Sequence, residues 1–158
     1  MDTQQITTIL SHHAKTKHSF LGVFPSDQLP STIPHYPACF VANTDKSSEE
    51  GSHWVAFYVN SPTSICFFDS YGNSPMYFEG GISKYVEYYQ DLEFNPMRLQ
   101  SNVTSVCGQY CIYYLYAKCN DCSLNDILLS FVSNQLCNDR KVHHFVTKRF
   151  KIVVPFYQ

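Results

Sequence analysis

A histidine and a carboxylate stand at the ends of two predicted strands, where they could form a base. His53 directly precedes the alternating apolar run of residues 54–60, and Asp69 closes the next apolar run, residues 65–69. If the two runs pair as an antiparallel hairpin, these side chains come next to each other in space. A His held beside a carboxylate is an oriented base that can exchange a proton with a nucleophile.

Cys107 is the candidate nucleophile. It stands where the apolar spacing of residues 107–118 predicts that a helix begins. The free N–H groups and the dipole at a helix N-terminus favour a thiolate, and beside a protonated His the pKa of a cysteine falls from about 8.5 to roughly 3.5–7.5. Cys111 lies one turn later on the apolar face of the same helix, so we predict that it is an inert core residue.

Attack of a thiolate on a carbonyl also needs hydrogen-bond donors for the developing oxyanion. Gln100 is the candidate side-chain donor, and the backbone N–H of Cys107 is the second. Gln109 is an alternative to Gln100, but it lies on the predicted helix itself. A residue in the loop before the nucleophile can fold back over it, which favours Gln100.

The elements that must position these residues begin with strands. We predict a short buried strand over residues 38–42, a hairpin from the two apolar runs with its turn at residues 61–64, and a weak strand over residues 93–99. The proline-rich stretch 25–37 is predicted to be irregular, and the polar run 43–52 to be a surface loop.

Helices are predicted mainly in the second half of the chain. The apolar spacing favours a helix over residues 74–91, disturbed at Gly80 and Gly81, and a clearer one over residues 107–118. A third is expected from the capping box at residues 123–126 to about residue 136, and a final one around Val142 to Val146 with cations near its end, followed by a short strand at 152–156. The mixture predicts an α+β fold with a small mixed or antiparallel sheet packed with helices.

Length and composition predict one domain over residues 1–158. The sequence is 44% hydrophobic, with a net charge of -2 and a pI near 6.3, which disfavours nucleic acid as the main ligand. No run approaches the roughly 20 apolar residues of a membrane span, and residues 1–18 lack the pattern of a signal peptide. We therefore expect an intracellular protein without a membrane segment.

Seven cysteines, an odd number, favour free thiols in a reducing compartment over a disulfide framework. Cys119 and Cys122 form a CxxC pair, but no second pair and no suitably spaced His couple accompany it, because His143 and His144 are adjacent. This spacing disfavours a zinc site. We expect neither a metal nor a cofactor.

The segments GSHWVAFYV, CFFDSYG and LQSNVTSVCGQYC together resemble the adenovirus protease family, and more distantly the proteases that cleave ubiquitin-like modifiers. The shared pattern is His-Trp, an acidic residue closing the next strand, a Gln before the nucleophile, and Cys-Gly opening a helix. The resemblance covers roughly residues 20–120. It implies the papain-like fold of that family, with His53 as base, Asp69 as its partner, Gln100 as oxyanion donor and Cys107 as nucleophile.

The sequence also departs from the adenovirus enzymes. That family is known for activation by a disulfide-linked peptide and by DNA, but this chain has no cysteine between Cys66 and Cys107 and is slightly acidic. Either activator is therefore unsupported as a partner here. These departures suggest a source in another virus or a virus-like mobile element.

The combined interpretation is a cysteine endopeptidase that cleaves viral or mobile-element precursor proteins after a small residue. The expected partner is a protein or peptide substrate, and the expected state is a monomer in the cytoplasm or nucleus of a host cell, with packaging into virions left open. One alternative is a deconjugating protease for ubiquitin or a ubiquitin-like modifier. The other is a catalytically silent binding module on the same fold.

Overall fold

The computed structural model describes residues 1–157 and has helices on both faces of a five-stranded sheet. The strands are β1 (Phe20–Pro25), β2 (Ala38–Asn43), β3 (Trp54–Ser61), β4 (Ser64–Phe68) and β5 (Asp91–Phe94). The helices are α1 (Thr3–His12), α2 (Gly81–Val86), α3 (Cys107–Lys118), α4 (Leu124–Leu129) and α5 (Gln135–Phe150). Within residues 1–157, no helix has the length and apolar character to cross a bilayer.

The sheet is mixed, and its strands follow one another in chain order. β2, β3 and β4 pair antiparallel, while β1 joins β2 and β5 joins β4 in parallel. The α+β class and the mixed sheet predicted from the sequence are confirmed. The β3–β4 hairpin at the centre is the part that positions the site.

Each central strand is buried on both faces, so its alternate residues enter two different hydrophobic clusters. On one face α1 and α3 pack on the sheet, and α4 and α5 pack in turn on α3. On this face Phe68 stacks on Tyr114 at 4.5 Å between ring centroids. On the other face α2 covers a second cluster, in which Phe40 and Phe57 stack at 4.6 Å. The nucleophile helix α3 therefore lies directly against the strands of the hairpin.

Several predicted elements are confirmed. The hairpin forms, α3 runs from Cys107 to Lys118 as predicted, and the capping box of α4 is present, with the Ser123 and Asp126 side chains bonding reciprocally to each other's backbone. Lys148 and Arg149 lie in the last turn of α5. Composition favours these segments, and the capping box supports α4, although no side chain caps the start of α3 at Val106.

Other predictions were wrong in extent. The single helix over 74–91 is instead a 3-10 turn (Pro75–Tyr77) and the short α2, because Gly80 adopts a φ of 89° that interrupts a helix. The weak strand 93–99 is β5, which starts at Asp91 and ends at Phe94, before the buried Asn95. The helix expected to reach residue 136 ends at Leu129, and α5 begins at Gln135.

The two ends of the chain hold the remaining differences. The strand predicted at 152–156 is wrong, because these residues form no strand and continue irregularly beyond α5. Helix α1 and strand β1 were not predicted. The buried residues of α1 are Ile6, Ile9 and Leu10, which have the i, i+3, i+4 spacing of an amphipathic helix. A capping box of Asp2 and Gln5 precedes them, so the prediction missed a helix signal that the sequence contains.

Candidate active site

The β3–β4 hairpin brings the predicted base and carboxylate together. Nε2 of His53 lies 2.6 Å from Oδ1 of Asp69, and this is a direct hydrogen bond. The His53 side chain is 12% exposed while that of Asp69 is completely buried. Because Nε2 faces the carboxylate, Nδ1 is the ring nitrogen left for the nucleophile.

Four hydrogen bonds fix the Asp69 carboxylate. Besides His53, the backbone N–H of Tyr71 donates to Oδ1, at 3.0 Å, and the backbone and side-chain N–H groups of Asn73 donate to Oδ2, at 3.1 and 2.8 Å. The backbone of Asp69 is held in turn by the buried side chain of Asn95, which accepts from its N–H and donates to its carbonyl. These donors fix the position of the carboxylate, which in turn orients the His53 ring.

An aromatic ring holds the other side of the imidazole. The rings of His53 and Tyr71 stack with centroids 4.9 Å apart, and the Arg98 guanidinium lies 4.9 Å from the Tyr71 centroid on a cation–π contact. Sequence reasoning missed Tyr71, Asn73 and Asn95. Tyr71 and Asn73 lie in the turn after Asp69, and Asn95 directly follows β5. Polar residues are common in turns, so these positions gave no signal of a role in the site.

Cys107 is the first residue of α3 and is half-buried beside His53. Burial raises the pKa of Cys107, but the hydrogen bond with His53 and the charge of that ring outweigh burial and lower the pKa below its ordinary value. Burial lowers the pKa of His53, but the hydrogen bonds with Asp69 and Cys107 raise it to about 9. These opposite directions favour a thiolate–imidazolium pair at neutral pH.

Gln100 stands seven residues before Cys107 in the sequence and is completely buried. Its side-chain oxygen accepts from Oγ of Ser70, at 2.7 Å, and its Nε2 donates to the carbonyl of Thr104, at 3.0 Å. Among residues 1–157 its amide makes no hydrogen bond to Cys107 or His53. The structure thus brings His53, Asp69 and Cys107 together, and the role of Gln100 as an oxyanion donor stays a prediction.

The alternative candidates Cys111 and Gln109 both lie inside the protein. Cys111 is buried and burial raises its pKa well above the ordinary value, as expected of an inert core thiol. Gln109 is also buried, and its Nε2 donates to the carbonyl of Pro155 at 3.3 Å. Within residues 1–157 no group of three or more His, Cys, Asp or Glu side chains is arranged to hold a metal ion.

Two cavities lie at the candidate residues Cys107 and His53. One, of about 550 Å³, is lined by Cys107 and Trp54 together with β1 and the loop before β3. The other, of about 420 Å³, is lined by His53 and Tyr71. Ser52 lines both cavities, so they adjoin at this residue, which directly precedes His53.

The geometry can be compared with known proteins. No protein-family model matches the sequence. The SUMO-1 cysteine protease from a Kenyan pig isolate of African swine fever virus is 30% identical over 126 residues, which cover 71% of this chain and 43% of that protein. The cysteine protease from a Malawian tick isolate of the same virus matches with the same identity and coverage. This chain thus spans less than half the length of the curated relatives it matches.

The crystal structure of the ASFV pS273R protease superposes on 90% of this chain and 66% of its own, with a TM-score of 0.61 at 18% sequence identity. At that identity the match shows a shared fold. The sequence relatives are viral cysteine proteases, in agreement with the resemblance of the sequence motifs to such enzymes.

Proposed function

We propose that this chain, a relative of the African swine fever virus cysteine proteases, is a cysteine endopeptidase. The observation that carries the proposal is the His53–Asp69 pair, joined at 2.6 Å, beside a cysteine of lowered pKa at the start of α3. An oriented imidazolium next to a thiolate is the arrangement that thiol proteases use.

The proposed reaction starts from the ion pair. The Cys107 thiolate attacks the carbonyl carbon of a peptide, and the oxyanion is stabilised by the backbone N–H of Cys107 and the Gln100 amide. His53 then gives its proton to the leaving amine, and the thioester remains on Cys107. Water attacks the thioester while His53 takes its proton, which releases the acid and restores the thiolate. Asp69 holds the ring throughout.

The two cavities support cleavage within a chain. The leaving amine must lie next to the proton on His53, so the residues after the cleaved bond fit the cavity that His53 lines. The acyl part, bonded to Cys107, fits the cavity that Cys107 and Trp54 line. An endopeptidase needs room on both sides of the bond, and this surface provides it.

The substrate class is a further part of the proposal. From the family resemblance we propose precursors of viral or mobile-element structural proteins, cut after a small residue such as glycine. A deconjugating protease for a ubiquitin-like modifier is the second candidate, favoured by the name SUMO-1 cysteine protease that three of the relatives carry. The silent binding module would have no need for the charged pair at Cys107.

The test uses the purified chain with a peptide library and, separately, with conjugates of ubiquitin and SUMO-1. New N-termini in the library, absent with Cys107→Ala and retained with the matched control Cys111→Ala, are the expected result. Cleavage of the conjugates alone would assign the deconjugating activity instead. If the wild-type chain and Cys107→Ala leave both kinds of substrate equally intact, the proposed function is wrong.

We also propose a single protease domain over residues 1–158 that acts as a monomer, for which the sequence supports neither a DNA nor a peptide activator. Its proposed place is inside the host cell, in the cytoplasm or nucleus, with packaging into virus particles as a further proposal. Cleavage by the purified chain alone, at a rate that neither added DNA nor a viral peptide raises, is the expected outcome. Sedimentation of the same sample checks the monomer.

A further inference from the structure

The loop of residues 99–106, here called the pre-nucleophile loop, contains Gln100 and leads to Cys107. Side chains of a helix that is distant in sequence hold this loop. Helix α5 directs two buried polar side chains at it, those of Asn138 and Asp139. Asn138 donates to the carbonyl of Leu99 at 3.3 Å. The proposed reaction gives neither residue a task.

Asp139 is completely buried, and the bonds to it come from the loop and from α3. The backbone N–H of Ser101 lies 3.2 Å from Oδ2, and the hydroxyl of Thr104 donates to the same oxygen at 2.8 Å. The hydroxyl of Tyr110, one turn into α3, lies 2.9 Å from Oδ1. One carboxyl group thus connects both ends of the turn 101–104 with the nucleophile helix.

These contacts continue to Gln100. The Gln100 amide donates to the backbone carbonyl of Thr104, and the hydroxyl of Thr104 donates to Asp139. The other end of the Gln100 amide is held by Ser70, in the turn that follows Asp69. Hence the orientation of the Gln100 amide depends on Thr104, and the position of Thr104 depends on Asp139.

A buried carboxyl group is costly, and apolar side chains of the same volume are often as stable or more stable. The bonds of Asp139 therefore indicate a role in fixing one conformation of the loop more than in overall stability. That conformation is the one an oxyanion site needs, because its donors act only when they are aligned in advance.

We propose that Asp139 is a positioning residue that holds the pre-nucleophile loop, and through Thr104 the Gln100 amide, in the geometry for oxyanion stabilisation. The inference rests on the proposed function and deepens it. Asp139 touches neither the thiol nor the imidazole among its hydrogen bonds, so it acts on the transition state and leaves the ion pair of Cys107 and His53 unchanged.

Asp139→Asn is the conservative variant. The Tyr110 hydroxyl lies 2.9 Å from both the Leu99 carbonyl and Oδ1 of Asp139, yet it has one proton to donate. If that proton goes to Leu99, an N–H at position 139 can donate to the Tyr110 oxygen, while the amide oxygen still accepts from Ser101 and Thr104. Burial also raises the pKa of Asp139, which agrees with a neutral group being tolerated at this place.

The experiment measures kcat and KM on a cleaved peptide, and the rate of Cys107 alkylation by iodoacetamide at pH 6. We expect Asp139→Ala to lower kcat roughly tenfold to a hundredfold, less than the about 10²–10³ that follows complete loss of an oxyanion donor. KM and the alkylation rate should stay near wild type, because alkylation forms no oxyanion. Asp139→Asn should restore most of kcat.

Two further variants test the hydrogen bond of Thr104 alone and control for a loss of stability. Thr104→Val removes only the hydroxyl that reaches Asp139, and we expect it to lower kcat by about three- to tenfold while the chain stays folded. Val146→Ala, a buried position two turns further along α5, is the matched control, since it weakens packing away from the loop. It should lower the denaturation midpoint without lowering kcat.

The outcomes separate the inference from the proposed function. If the wild-type chain cleaves peptides and Thr104→Val and a folded Asp139→Ala keep its kcat, the inference is wrong and the protease stands. If alkylation of Cys107 falls in parallel with kcat, Asp139 has a general structural role and the inference is also wrong. If the wild-type chain neither cleaves nor labels at Cys107, the proposed function is wrong and the inference falls with it.

Discussion

At the residue scale, the charge state of Cys107 and His53 decides whether the site can react. His53 keeps its proton up to about pH 9 because Asp69 and Cys107 outweigh the effect of burial. The thiolate exists above the lowered pKa of Cys107. The ion pair therefore spans the pH range between the two values and is lost on the alkaline side as His53 gives up its proton.

Replacement of Asp69 by Asn tests how much of this depends on one carboxylate. Asp69→Asn keeps the shape but removes the charge, so we expect the pKa of His53 to fall and the alkaline loss of the ion pair to move to lower pH. For each unit by which the pKa of His53 falls, the protonated fraction of His53 at a fixed alkaline pH falls about tenfold. The pH profile of kcat/KM on a cleaved peptide measures it, because the leaving amine takes its proton from His53. An alkaline limit that stays near pH 9 would contradict the role given to Asp69.

Asn73→Ala is the matched control for that change. It removes one neutral donor from the second oxygen of Asp69 and leaves the bond to His53 in place. A much smaller movement of the profile is expected, because the carboxylate and its charge remain.

The three charged members of the site could be predicted from the sequence because each stands at the end of a recognisable element. His53 and Asp69 flank a hairpin of clear β composition, and Cys107 starts a helix that is rich in apolar and aromatic residues. Asp139 could not be predicted in the same way. The surrounding CNDRK sequence is polar and is typical of an exposed helix face, and only the tertiary fold buries Asn138 and Asp139 within it.

At the scale of elements, the turn after β4 is the most constrained part of the site. Gly72 has a φ of 74°, and a Cβ there would lie 2.6 Å from the carbonyl oxygen of Met97. This close approach lets the backbone carbonyl of Ser70, two residues earlier, accept from the backbone N–H groups of Leu99 and Gln100. The turn that carries Asp69 is thereby joined to the pre-nucleophile loop.

Gly72→Ala should therefore damage both stability and reactivity. We expect a loss of about 3 kcal/mol in the free energy of unfolding, because a positive φ and a backbone clash act together. Gly80→Ala is the control, since Gly80 has a φ of 89° but no atom within 4 Å of an added Cβ. It should lose about 1–3 kcal/mol from backbone strain alone and keep the Cys107 alkylation rate. Equal effects of the two variants in urea denaturation and alkylation would contradict this account.

Elements were predicted well where local signals agreed and poorly where tertiary contacts decide. The hairpin has clear β composition and α3 is rich in apolar residues, whereas the 74–91 segment has apolar spacing but contains Gly80 at a positive φ. α1 carries few apolar residues and is held by its capping box at Asp2 and by packing on α3 and β1. No local pattern shows the partner that stabilises such an element.

At the scale of the whole molecule, the sheet separates two hydrophobic clusters with different tasks. The cluster on the α3 face supports the nucleophile helix, while the cluster with α2 lies on the far side of the sheet. Phe57 and Phe68 belong to the adjacent strands β3 and β4 but to opposite clusters. Stability and reactivity can therefore be changed separately.

A buried substitution on the far face tests this separation. Phe57→Leu should lower the free energy of unfolding by about 1–2 kcal/mol, since it removes part of a ring from a close-packed cluster. Below the unfolding transition, the rate of Cys107 alkylation should equal that of the wild type. Urea denaturation and alkylation kinetics check both statements, and a fall in reactivity of the folded variant would show that the two faces are coupled.

The central claim is that Cys107 is held as a thiolate by His53, and alkylation tests it most directly. Iodoacetamide labelling from pH 4 to 9, with mass spectrometry to locate the label, compares the wild type with His53→Ala. A Cys119→Ser background removes the other half-buried cysteine whose pKa is lowered, in that case by Cys39. We predict fast labelling of Cys107 at pH 6 in the wild type, and in His53→Ala labelling that becomes fast only above about pH 8. Slow labelling below about pH 8, spread over several cysteines and unchanged by His53→Ala, would contradict the account.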